Sequence, residues 1–288
     1  MTPQPSSLRQ ATGYGQMFAQ MSRPQNTLYP IALIIIIGGL SDGHWWQIAA
    51  ATVSISAMYS LATLLNNIVD REVDISNARS DNPLTHTRIP GRALRIFAGL
   101  QAGSILLLQF LMQQPVSLIL CLSYLACCVV YSAPRIHLQT RGFTATLNLA
   151  LCYGFVPVLL AAAQGGAIGW DTVLVGLCQI LLISPILLAK DYKDERGDRL
   201  HGKRTPLVRY GQRGVMIATA VCFVGFAALF VAFPKQLPAT TAVVFLGSTY
   251  AVMALVLHRH RGKSSWAYGH LVRLTLIVLS SMIFWNTL

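Results

Sequence analysis

Apolar positions along this chain fall in long blocks separated by short polar loops. The first block opens near Leu28 and runs through Leu33 to Leu40, and stretches of roughly bilayer-spanning length follow at about 45–67, 93–112, 116–134, 143–163, 171–190, 214–233, 237–257 and 266–287. The blocks predict an all-α polytopic membrane protein with about nine transmembrane helices, forming one domain over residues 1–288. The first helix is short unless Gln16 to Thr27 extends it as an interfacial turn. The 27 residues before it are polar and carry no basic region leading straight into a short apolar core, so a retained first span is expected and not a cleaved signal peptide.

Composition agrees with the blocks. Of 288 residues 54% are hydrophobic and 11% charged, whereas soluble domains carry about 25% charged residues. That much apolar surface excludes a disordered chain. Six cysteines are too sparse for a disulfide scaffold; all fall within expected spans without a CxxC spacing and read as small packing residues. The seven histidines show no metal-ligand spacing and read as interfacial residues.

The charges set the orientation. If the N-terminus is cytoplasmic, 21 of the 22 Lys and Arg face the cytoplasm and only Lys235 faces the other side. A net charge of +12 spread in this way makes no continuous face for nucleic acid.

Acids are concentrated. Asp42 and Asp171 sit in outer loops, and the other eight of the ten lie at the cytoplasmic ends of two helices. One stretch is Asn66-Asn67-Ile68-Val69-Asp70-Arg71-Glu72-Val73-Asp74, with Asp81 beyond it. The other is Lys190-Asp191-Tyr192-Lys193-Asp194-Glu195-Arg196-Gly197-Asp198. On a continuous helix Asn66, Asp70 and Asp74 share a face, as do Asp191, Asp194 and Asp198. Oxygen donors crowded in this way repel unless a cation sits among them. Without soft ligands the set suits Mg²⁺, which is usually held by one or two carboxylates and completed by substrate phosphates. The plainer alternative is solvated charge marking helix ends.

Asp70 and Asp194 are 124 residues apart, as are Asp74 and Asp198; Pro83 and Pro206 are 123 apart. The spacing predicts two four-helix halves plus a ninth helix around a central cavity, with a diphosphate site between the acid stretches. Arg71, Arg79, Lys190, Lys193, Lys203 and Arg204 accompany the acids. Positive-inside bias accounts for much of this charge, but a diphosphate also needs Arg or Lys donors. The loop from Tyr131 through Arg135 to Arg141 lies on the same face, as does Arg23-Pro24.

These residues resemble a known family. Asn66-xxx-Asp70-xxx-Asp74, and Lys190-Asp191-Tyr192 with Asp194-xxx-Asp198 and Gly202-Lys203-Arg204-Thr205, are similar to the two aspartate-rich motifs of UbiA-type intramembrane prenyltransferases. The Asn77-x-Arg79-x-Asp81-x-Pro83 and Tyr131-Ser132-x-Pro134 loops extend the resemblance over the whole chain. It implies nine helices, two Mg²⁺ ions and transfer of a prenyl group from a polyprenyl diphosphate to an acceptor, often aromatic or a lipid-quinone precursor. It also implies metal ligation by Asn66, Asp70 and Asp74, and by Asp191, Asp194 and Asp198. Diphosphate contacts are implied from Arg23, Arg71, Arg79, Tyr131, Lys190, Lys193 and Lys203, with Asp70, Asp191 and Asp194 closest to the chemistry. Three departures stand out: Asn67 and Asn82 replace an acid and an arginine, and Arg135, His137 and Gln139 occupy places usually held by Pro, Arg and Lys. Arg135 or Arg141 is the expected substitute there.

Two other readings remain. A cyclase on the same scaffold would ionise the diphosphate without an external acceptor, and a Phe- and Trp-rich pocket would favour it. A cation-coupled transporter would need its acids at mid-membrane depth. A CDP-alcohol phosphotransferase would need a tighter Asp-rich signature than the one present.

Overall fold

A computed structural model describes residues 7–23, 26–79, 82–87, 89–166, 168–231, 237–261 and 275–283. Pro24, Asp81, Arg88, Lys235, Lys263, Arg273 and most of the last apolar block lie outside the described residues. The order is α1 (Ser7–Ser22), α2 (Leu28–Leu40), α3 (Trp45–Val69), α4 (Arg71–Ser76), α5 (Gly91–Met112), α6 (Pro115–Ser132), α7 (Phe143–Ala150), α8 (Val156–Gln164), α9 (Trp170–Lys190), α10 (Glu195–Leu200), α11 (Pro206–Val231) and α12 (Leu237–Arg259). Residues 275–283 are helical, and no strand occurs among the described residues.

Six described helical stretches are long and apolar enough to cross a bilayer: α3, α5, α6, α7 with α8, α9 and α11. At 1.5 Å per residue, the 25 residues of α3 span about 37 Å, more than the hydrocarbon thickness of about 30 Å. The protein is therefore integral to the membrane. α2 is apolar but only 13 residues long. Of the residues expected as a possible interfacial extension of α2, Gln16 to Ser22 instead belong to α1, which ends where Arg23 takes a left-handed φ of 44°.

Leu33 and Ile37 of α2, Ile55 and Met58 of α3, Leu160 of α8 and Leu182 of α9 meet in one buried core. Lipid supplies no hydrophobic drive between helices, so polar pairs and close backbone approach matter more than in water. Gln109 Nε2 donates to Ser54 Oγ at 2.7 Å between α5 and α3. Gln164 Nε2 donates to Ser117 Oγ at 3.1 Å between α8 and α6. A π turn over Leu151–Phe155 joins α7 to α8. Its Gly154 lies so close to α9 that a Cβ would meet Gln179 at 3.0 Å.

The acid stretches do not continue their helices. α3 stops at Val69, Asp70 adopts φ −87° and ψ 5°, and α4 restarts at Arg71. α9 stops at Lys190, and α10 restarts after Asp194. Aspartate favours such boundaries because its side chain competes for nearby backbone, and the first turn of a helix accepts negative charge. The expected single helical face is thus replaced by two broken turns. α4 and α10 lie against each other, with Ser76 Oγ 2.9 Å from His201 Nε2. One histidine also departs from its interfacial reading: His258 is fully buried, its Nε2 2.9 Å from Thr219 Oγ1.

Candidate active site

The ends of α3 and α9, with the turns that follow, form the mouth of a cavity of about 790 Å³. Asn66, Asp70, Asp191, Asp194 and Asp198 line it together, with Arg23, Arg79, Tyr131, Lys190, Lys193 and Lys203. Further in, the wall is Tyr29, Tyr59, Tyr124, Tyr153, Cys128, Cys152, Leu149, Ile183, Ile186, Leu187, Leu257 and Leu276. The charge is therefore gathered around the two acid stretches, and the remainder is uncharged, largely apolar or phenolic with a few polar side chains such as Thr63, Thr146 and Asn148.

The charged groups are interlocked across the two halves of the chain. Lys203 Nζ lies 2.6 Å from Asp70 Oδ1 and 3.9 Å from Asp198 Oδ1. Gln139 Nε2 donates to the same Asp70 oxygen at 2.8 Å. Arg79 lies 3.4 Å from Asp74 Oδ1 and 3.3 Å from Asp194 Oδ2. Asp74 does not line the cavity; it is buried behind it, where Asn82 Nδ2 donates to its Oδ2 at 2.7 Å. Asn82 also donates to Asn67 O at 3.0 Å and accepts from Leu84 N at 3.0 Å, so one buried amide fixes the loop, the end of α3 and Asp74 together.

Asn77 performs the same task for α10. Its Nδ2 donates to Asp194 O at 3.2 Å, and its Oδ1 accepts from Gly197 N at 2.6 Å. A Cβ on residue 197 would lie 2.4 Å from the Asn77 amide, so any larger residue there must push that amide out of its hydrogen bonds. Asn67, in the place of the family's second acid, accepts from Arg23 at 3.1 Å and thereby holds that guanidinium at the cavity wall.

Burial drives the electrostatics. It pushes the Asp191 carboxyl up to about 6, against the pull of Lys190, and the Asp198 carboxyl up to about 7, against Lys203. Asp74 is raised for the same reason, opposed by Arg79 and by the Asn82 hydrogen bond. Carboxylates held above their ordinary range bind a cation that restores the charged form. Asp194 Oδ1 is buried and has no protein donor among the described residues. The donors are carboxylate and amide oxygens, which suit a hard ion. No three acidic, histidine or cysteine side chains converge on one point among the described residues. An ion here would therefore be completed by oxygens from outside the protein, the usual arrangement for Mg²⁺ beside phosphates.

Comparison with known proteins decides the family. The UbiA prenyltransferase family matches residues 27–279. The chain belongs to the UbiA prenyltransferase family. It is a prenyltransferase, an enzyme that releases diphosphate. A bacteriochlorophyll synthase 33 kDa chain from Cereibacter sphaeroides is 27% identical over 271 residues, covering 89% of this chain and 88% of that protein. The fold matches a UbiA homologue from Archaeoglobus fulgidus, solved with DMAPP and Mg²⁺, with a TM-score of 0.73 at 13% identity over 93% of this chain and 98% of that one. A UbiA homologue from Aeropyrum pernix K1 matches at 0.67 and 17% identity, over 92% and 99%.

Against this frame, three of the nine candidate diphosphate contacts lie apart from the cavity lining. Arg71 donates from Nε to Leu84 O at 2.9 Å and pairs with Glu72 at 2.5 Å. Arg135 is exposed, and Arg141 lines a separate recess. Gln139, not either arginine, comes from the third loop to the acids. Asn77, Asn82 and Gln139 carry much of the site's geometry yet bear no charge, and so gave little signal in the sequence. The signal available was the place of Asn77 in the loop that resembles the family, and the substitution of Asn82 and Gln139 for otherwise expected residues.

Proposed function

We propose that this enzyme transfers a polyprenyl group from its diphosphate to an aromatic or lipid-quinone-type acceptor, with two Mg²⁺ ions bound alongside the diphosphate. The observation that carries the reading is one cavity whose charged mouth gathers both acid stretches and whose remaining lining is uncharged and largely apolar or phenolic. A UbiA homologue from Archaeoglobus fulgidus has been solved with DMAPP or GPP and Mg²⁺, which supports it for that relative.

Asn66 and Asp70 would hold one ion and Asp194 and Asp198 the other, with Asp191 in support and Asp74 stabilising from behind. Bound Mg²⁺ supplies Lewis-acid stabilisation of the departing diphosphate. Arg23, Arg79, Lys190, Lys193 and Lys203 stand at the mouth to neutralise the same charge. Cleavage of the C1–O bond yields an allylic cation, which the tyrosine-, leucine- and isoleucine-lined interior shields from water. The acceptor attacks C1, and Asp191, whose carboxyl is held near 6, is placed to take the proton released on rearomatisation. The mouth faces the cytoplasm, with nine spans and a cytoplasmic N-terminus.

Two rivals fit less well. The cyclase reading called for Phe and Trp near the acids, and neither lines the cavity among the described residues. The transporter reading needs mid-membrane acids, whereas Asp70 and Asp191 cap the ends of α3 and α9.

The test is incubation of membranes with labelled geranyl and longer diphosphates, a panel of acceptors and either Mg²⁺ or EDTA. The panel includes a bacteriochlorophyll precursor because of the relative named above. Conjugate should form only with Mg²⁺ and be lost in Asp70→Ala and Asp194→Ala. Diphosphate release that persists in both variants would sink the site; release without any conjugate would favour the cyclase.

A further inference from the structure

The third polar loop and the turn after α10 are joined by a backbone hydrogen bond from Arg204 N to Thr140 O, at 3.2 Å. Neighbouring residues on these two segments face opposite ways. Gln139 and Lys203 are buried and both donate to Asp70 Oδ1 in the cavity. Thr140, Arg141 and Arg204 face outward instead. With Gly202 and Arg209 they line a separate recess of about 350 Å³.

Three exposed guanidiniums from three elements therefore meet in one place: the third loop, the turn after α10 and the first turn of α11. No acidic residue lines the recess among the described residues. Positive-inside bias explains cations on this face, but not their convergence, which costs repulsion unless an anion is held between them. Planar guanidinium forks suit phosphate oxygens. The depth is also informative. Arg209 lies 5.2 Å from the centroid of Tyr210, and Tyr210 stacks on Phe143 at 5.2 Å. Both rings are partly exposed, at the starts of α11 and α7. Exposed aromatics at helix starts mark the membrane–water boundary, so the recess opens at headgroup level.

We propose that this recess is a second anion site, distinct from the cavity, that binds a phosphate-bearing ligand at the membrane surface. An anionic phospholipid headgroup and a free phosphate or diphosphate share the chemistry. Because Thr140 and Arg204 are the chain neighbours of Gln139 and Lys203, a phosphate held here braces the strap that positions Asp70.

The experiment uses the full-length protein in detergent with EDTA, so that Mg²⁺-dependent binding in the cavity does not contribute. Native mass spectrometry compares phosphatidylglycerol with phosphatidylcholine, and calorimetry measures inorganic phosphate and diphosphate. The Arg141→Gln/Arg204→Gln/Arg209→Gln protein is set beside Arg92→Gln/Arg95→Gln, which removes two exposed arginines of α5. Wild type and the α5 control should bind phosphatidylglycerol in preference to phosphatidylcholine, or bind the free anions. The triple variant should bind about tenfold more weakly or less, the scale of one lost charge-assisted hydrogen bond. Phosphatidylglycerol binding alone identifies a lipid headgroup; free-anion binding identifies a small phosphate. Equal binding by the triple variant, equal loss in the α5 control, or no preference over phosphatidylcholine together with no binding of the free anions overturns the proposal. Should the triple variant unfold, Arg141→Glu at its exposed position must give the same loss. Failure of this test leaves Mg²⁺-dependent transfer untouched, and failure of transfer leaves this test standing.

Discussion

Arg79 and Lys203 stand 124 residues apart and occupy corresponding places in two copies of the same turn, each reaching across to an acid of the other copy. The correspondence extends through the backbone. α4 and α10 are each six residues long and begin after Asp70 and Asp194. Ala78 and Gly202 both take a left-handed φ, of 51° and 66°. Arg79 N then bonds Asp74 O at 3.0 Å, as Lys203 N bonds Asp198 O at 2.8 Å. The repeat suggested by sequence spacing is thus present at the acid turns, and its function is to let each half neutralise the other.

The two cations differ in burial, and their removal should differ accordingly. Lys203 and Asp70 side chains are about 10% and 9% exposed. Lys203→Gln leaves a buried carboxylate unpaired and should cost about 3–5 kcal/mol. Arg79 and Asp194 are roughly twice as exposed, and the buried Asp74 that Arg79 also pairs with keeps its hydrogen bond from Asn82, so Arg79→Gln should cost less, about 1–2 kcal/mol. Denaturation in detergent measures both, and Asp70→Asn should recover much of the Lys203→Gln loss. Equal costs would mean that burial does not govern these pairs.

Asn82 should prove as important as an acid it only supports. Asn82→Ala strips a donor from Asp74 and an acceptor from Leu84 N, both buried, at about 1–3 kcal/mol each. The half-saturating Mg²⁺ concentration for diphosphate release should rise as Asp74 and the end of α3 loosen. A variant with wild-type stability and Mg²⁺ dependence would remove Asn82 from the site.

Gly197→Ala tests the α4–α10 contact with one methyl group. Its Cβ would displace the Asn77 amide, which lies 2.4 Å from that position. Turnover should fall about tenfold or more while the helical content is retained, since misplacement by about 1 Å costs this much in other enzymes. Adding Asn77→Gly to make room should restore stability more than turnover, because the hydrogen bond to Asp194 O is still lost.

Proton competition should shape the Mg²⁺ requirement. Asp191 and Asp198, raised to about 6 and about 7 by burial, are largely neutral below those values. Mg²⁺ has to displace those protons, so its apparent affinity should rise as pH climbs from about 5.5 to 7.5. The same sign governs stability in EDTA. Groups raised in the folded state favour folding at low pH, and that contribution is lost as pH rises through 6 to 7. Thermal midpoints in EDTA should fall across that interval, and the gain from added Mg²⁺ with diphosphate should grow. A pH-independent Mg²⁺ requirement would count against both carboxylates as ligands.

What the sequence determined by itself was set by solvent. Helix-length apolar blocks have one solution in a bilayer, because every backbone amide must be satisfied within the segment. The loop charges bias orientation, and scarce acids in two related stretches marked the polar end of the cavity. What only the tertiary structure decided depends on contacts distant in the chain. The breaks at Asp70 and Asp194 turned two expected helical faces into paired turns. Asp74 moved behind the cavity, and Arg71, Arg135 and Arg141 were directed away from it. Gln139 came to Asp70 from 69 residues away. Neutral amides such as Asn77, Asn82 and Gln139 have no periodicity and no charge to reveal them. Their roles exist only once the backbone brings a buried donor and a buried acceptor to hydrogen-bonding distance.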